Sequence, residues 1–122
     1  SKPTAGALRF SDGQSSGGVA GPDLRDDRWH HLAVTYQPGI DSSLLTGTRI
    51  YLDGKEVEIQ ELEDSQVDTL STDTLFIGSH VEGKRSNFAP FIGTLDELQI
   101  FRKTLTAREI RRLIETNSIH SR

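Results

Sequence analysis

The chain has no cysteine, so neither a disulfide framework nor thiol chemistry is available to it. A secreted domain built this way relies on its core or on a metal ion for stability. Long apolar runs are also missing. None approaches the ~18 residues that cross a bilayer, which excludes a membrane-spanning helix. The N-terminus lacks the charged and apolar regions of a signal peptide, so an export signal is expected upstream. Basic charge is scarce: the net charge is −4, whereas phosphate binding needs a concentrated basic surface. Nucleic acid is therefore not an expected partner. The one basic cluster, Arg108, Arg111 and Arg112, shares a predicted helix with Glu109 and Glu115 and reads as a solvated face.

What is present is a globular pattern. The 122 residues fit one domain spanning 1–122, enough to bury a single core with little margin. The apolar residues are mostly Val, Ile, Leu and Phe in short runs. Residues 7–10 (ALRF) predict a short strand, and the Gly- and Ser-dense stretch 11–23 a loop. Residues 29–36 (WHHLAVTY) are rich in β-branched and aromatic residues and predict a strand. Alternation puts His30, Leu32, Val34 and Tyr36 on one face and Trp29, His31, Ala33 and Thr35 on the other. After a loop at 37–47, TRIYL (48–52) and KEVEIQ (55–60) flank Asp53-Gly54. That pair suits a type I′ hairpin turn, whose two central residues both need positive φ. An acidic connection follows at 61–73, then a strand at 74–78 and a polar loop at 79–90. Residues 91–102 (FIGTLDELQIFR) predict the longest strand, with Leu98 and Ile100 facing inward. Thr106 and Glu109 form a capping box for a helix over 106–115, and residues 117–122 read as a flexible tail. Short strands separated by turn signals, with one terminal helix, predict an all-β antiparallel sandwich.

Four segments in order, DDRWHHLAVTY, IYLDGKEV, LFIG and FIGTLDELQIFRKTLTAREI, resemble the closing part of laminin-G-like, concanavalin A-like jelly-roll domains. The resemblance implies a β-sandwich of jelly-roll type with a short C-terminal helix, lacking the family's opening strands. In the family the opening strand pairs with the strand holding Asp96 to Phe101, so that strand is expected to show an unpaired edge. It also implies a non-catalytic module of a larger secreted, extracellular or cell-surface multidomain protein. Such a module binds a glycan or an extracellular protein, or packs against neighbouring domains of its parent. The rival reading is a structural or accessory domain in a secreted hydrolase whose catalytic site lies elsewhere.

Candidate site residues are few. An inward Asp96 is costly unless paired or bound to a cation. Related sandwiches often hold a structural Ca²⁺ at this place; the alternative is that Asp96 accepts backbone N–H bonds. His30 and His31 point to opposite faces and do not easily share one ion; the resemblance makes them fold-keeping residues near the sandwich rim. No catalytic residue is expected. Glycoside hydrolysis needs two facing carboxyl groups, and Asp96 and Glu97 lie on opposite faces. Gly17-Gly18 is followed by no phosphate-loop Lys. For sugar stacking, Phe88 and Phe91, flanking the Asn87-to-Pro90 loop, are the best platform candidates, with Asn87 beside them as a ligand-binding candidate. Rim packing is the alternative role of the two rings.

Overall fold

The computed structural model describes residues 6–11, 17–39, 43–63, 77–78 and 91–120. The chain falls into two compact units, residues 1–67 with 100–122 and residues 68–99. In the first unit, β1 (Leu8–Ser11), β2 (Gly17–Ala20) and β6 (Ile59–Glu63) form one antiparallel sheet in the order β1-β2-β6. A second sheet, in the order β3-β4-β5, holds β3 (Leu32–Tyr36), β4 (Thr48–Leu52) and β5 (Lys55–Val57). Two helices complete the unit, α1 (Leu44–Gly47) and α2 (Ala107–His120).

Residues 48–57 fold as their pattern predicts. Ile50 pairs with Val57 and Leu52 with Lys55 across the Asp53-Gly54 turn, whose φ angles are 51° and 83°. On the other side of β4, Val34 lies opposite Ile50 and Leu32 opposite Leu52. Ile50 and Tyr51 are buried on opposite faces of β4. Ala20, Leu44 and Ile110 complete the buried apolar set among the described residues.

Other segments depart from the pattern. Residues 55–60 are predicted as one strand, yet the chain leaves the ladder at Glu58. Val57 pairs in one sheet and Ile59, opposite Ala20, in the other. The period of two cannot reveal such a switch, because both residues stay apolar and inward. The predicted loop 11–23 contains β2, the central strand of its sheet. Its glycines have a packing role: a Cβ on Gly18 would fall 2.8 Å from the Phe10 ring and 2.9 Å from Ile59. The two neighbouring side chains thus close over a position that only glycine can occupy. Within 37–47, Ser43 caps α1 by accepting the Thr46 N–H at 3.1 Å.

The largest correction concerns residues 91–102, predicted as the longest strand. No strand forms there, and every one of these residues is exposed. Leu98 and Ile100, expected inward, are 66% and 72% exposed. Glu97 has a φ of 54°, a left-handed conformation costly for a long side chain and incompatible with a continuous ladder. The helix prediction fares better. Thr106 and Glu109 exchange reciprocal 3.2 Å bonds, and Lys103 reaches Glu109 at 2.7 Å. Past Glu115, where the apolar spacing stops, α2 continues to His120.

Helix α2 sits on the hairpin turn. A Cβ on Gly54 would lie 3.1 Å from Arg111 Cγ and 3.2 Å from Ile114 Cδ1. Gly54→Ala is therefore expected to cost about 1–2 kcal/mol from φ and crowding together. Ile110→Ala, at a fully buried position, is expected to cost about 2–4 kcal/mol. Urea unfolding checks both, and near-neutral values would refute this seating of the helix.

Candidate functional site

The best-defined polar constellation joins the loop before β3 to the hairpin turn. The loop is folded by its own aspartates, as short side chains that bond the backbone two residues on will do. Asp23 accepts the Arg25 N–H at 3.0 Å and Asp26 the Arg28 N–H at 3.0 Å. The Arg25 guanidinium also donates to both Asp23 oxygens, which holds the Asp23 carboxyl down to about 2. Asp27 takes a left-handed φ of 58°, and Trp29 emerges 70% exposed.

His30 closes the constellation. Its Nδ1 lies 2.8 Å from Asp53 Oδ2, and its Nε2 lies 3.0 and 2.9 Å from the two Asp26 oxygens. A carboxylate accepts and does not donate, so the ring satisfies both carboxylates at once only in its doubly protonated, imidazolium form. Hydrogen bonds to Asp53 and then to Asp26 hold the His30 pKa above its ordinary value. Asp26 is lowered, chiefly by its bond to His30. Burial pushes Asp53 up, but bonds from the His30 ring and the His31 N–H outweigh it and leave Asp53 lowered.

Asp53 is also tied to the backbone of β3's entry. Its Oδ1 accepts the His31 N–H at 2.8 Å, and its own N–H donates to the His31 carbonyl at 2.9 Å. His31 behaves oppositely to His30. Its Nδ1 is buried and has no hydrogen-bond partner among the described residues, and burial lowers its pKa. The adjacent histidines thus shift in opposite directions, and both precede β3 rather than lying within the predicted strand 29–36. Neither the partners of His30 nor the exposure of Trp29 was legible in the sequence; the loop aspartates at 23, 26 and 27 were the available signal.

The predicted site residues lie elsewhere. Asn87 and Phe88 fall outside the described residues. Phe91 is exposed, and its N–H donates to the Gly78 carbonyl at 2.6 Å. Its ring folds back over Gly93, where a Cβ would fall 2.7 Å from Phe91 Cζ. Asp96 is exposed rather than inward, and its Oδ1 accepts the Glu97 N–H at 2.8 Å. Among the described residues, no group of three His, Asp or Glu side chains is placed to hold a metal ion. An exposed carboxylate with one oxygen engaged does not by itself fit a structural Ca²⁺, so any such ion needs ligands beyond the described residues.

A model of the laminin-G-like group within the concanavalin A-like lectin/glucanases superfamily matches residues 3–111. No curated protein matches the sequence. Among solved structures, the chain is similar to residues 221–444 of an S-layer domain-containing protein from Clostridium thermocellum. The TM-score is 0.55 with 18% identity, over 93% of this chain and 65% of that one. At that identity the likeness shows the fold alone, and the chain spans 65% of the length of that structure.

The pKa directions fix a sign for stability. A group raised on folding contributes most below its unfolded pKa, about 6.5 for histidine, and loses that contribution as pH rises through its folded value. The stability that His30→Gln removes is therefore expected to be largest below about pH 6.5 and to shrink at alkaline pH. His31, lowered by burial, has the opposite slope. Thermal melts of the chain and the variant across pH 5–10 check this. A deficit that grows with pH would contradict the charged ring.

Proposed function

From the premise that this chain belongs to the laminin-G-like group of the concanavalin A-like lectin/glucanases superfamily, we propose that it is a non-catalytic recognition module for a glycan or an extracellular protein. The observation that carries this reading is the engagement of the two carboxylates at this site by the His30 ring and by backbone N–H groups. Glycoside hydrolysis requires one carboxyl group raised enough to donate a proton. Asp26 and Asp53, brought to one site by His30, are both lowered. They are committed as ionised partners of a cation and of backbone N–H groups, which suits architecture and not acid catalysis.

Contact with a ligand falls to exposed side chains. Trp29 offers an indole beside a loop braced by its own aspartates, and exposed aromatic faces suit stacking on sugar rings or packing into a protein partner. Phe91, with Asn87 and Phe88, is the second proposed contact region. Placement at the cell surface or outside the cell, within a larger protein, is supported by the S-layer domain in the name of the similar solved structure. Among the described residues no helix is long and apolar enough to cross a membrane. The superfamily's description also names glucanases, which supports a second reading: an accessory or structural domain of a secreted hydrolase whose catalysis lies elsewhere.

Glycan-array binding and pull-down from extracellular extracts, each with Trp29→Ala and Phe91→Ala, distinguish these readings. Binding that falls tenfold or more in either variant with the fold intact supports recognition. Glycan turnover by the chain itself would overturn it. Calcium at Asp96 is tested by melting with and without millimolar Ca²⁺, because a bound ion raises stability by mass action. A Tm increase that Asp96→Asn removes supports the ion, and an unchanged Tm rejects it.

A further inference from the structure

We propose that the His30 ring is a proton-held clasp between the loop at residues 21–31 and the β4–β5 turn, and that removing its proton releases the loop carrying Trp29. The geometry sets the logic. Each ring nitrogen faces a carboxylate on a different segment, Asp26 on the loop and Asp53 on the turn. A neutral imidazole has one N–H and one lone pair. Whichever nitrogen loses its proton, one carboxylate is left facing a lone pair, so one of the two links must open.

The surrounding charges do not substitute for the lost proton. Arg28 Nε is 4.0 Å from Asp26 Oδ2, on a side chain that is largely exposed. Burial lowers the His31 pKa, which disfavours a charge on that ring. Arg111 of α2 places its stem beside Gly54, on the turn side of the clasp. Deprotonation thus leaves two carboxylates, one exposed guanidinium and a neutral ring where one imidazolium had bridged both carboxylates. The turn keeps independent bonds to His31 through the Asp53 Oδ1 and N–H. Among the described residues the Asp26 carboxylate keeps the Arg28 contacts. Its own N–H donates to the Leu24 carbonyl within the loop, and the loop's tie to Gly6 is made at Leu24, ahead of Asp26. The loop is therefore the side that moves, and with it the exposed indole proposed as a contact surface. The clasp does not depend on what the indole binds.

Ring-nitrogen NMR of the full chain across pH 5–10 tests this. His30 is expected to titrate at higher pH than the same residue in the urea-unfolded chain, with both ring nitrogens protonated below its midpoint. The Trp29 indole and the backbone amides of 26–30 are expected to shift with the same midpoint. Asp26→Asn and Asp53→Asn are each expected to move that midpoint down, and His30→Gln to abolish the step at Trp29. A His30 midpoint at or below the unfolded value would overturn the clasp. So would a Trp29 indole that stays unchanged while His30 titrates.

Discussion

Asp53 is the residue on which most of the described architecture converges. It takes a left-handed φ of 51° to close the β4–β5 turn, a conformation that costs an ordinary residue about 1–2 kcal/mol. The carboxylate offsets that cost through the His31 N–H and the His30 ring. Hydrogen bonds to charged groups contribute about 1.5–3 kcal/mol each, and even after a discount for the half-exposed carboxylate the balance favours the turn. Gly54 then lies flat enough for α2 to settle on it. One dipeptide thereby closes a hairpin, anchors the entry to β3 and seats the helix.

This convergence explains which features the sequence made legible. Asp-Gly between alternating strands was readable because the turn's φ requirements act locally, and the capping box at Thr106 and Glu109 for the same reason. β2 was not readable. Its glycines look like a loop until Phe10 and Ile59, distant in sequence, are seen to close over Gly18. The sheet switch at Glu58 escaped because Val57 and Ile59 keep one parity while their partners change. At the candidate site, the predicted strand over 29–36 begins only at Leu32, so His30 and His31 sit in its entry. The carboxylates that give His30 its charge lie 4 and 23 residues away along the chain, and only the fold brings them together.

Residues 91–102 show the limit of pattern from the other side. Their alternation of apolar side chains is that of a strand, yet a ladder needs a partner, and none forms among the described residues. Alternation records what a segment is able to bury, not what lies beside it. β3 carries a related imbalance: it stands at the edge of its sheet with Leu32 and Val34 exposed.

If the Asp53-Gly54 turn couples β3, the hairpin and α2, these elements open as one. Native-state hydrogen exchange measures this directly, by comparing the opening free energies of the His31 and Asp53 amides with those of Ile110 and Ile114 in α2. A common free energy, lowered together in Asp53→Ala, is the expected result. His31 and Asp53 amides that exchange through cheap local openings while α2 stays protected would contradict it.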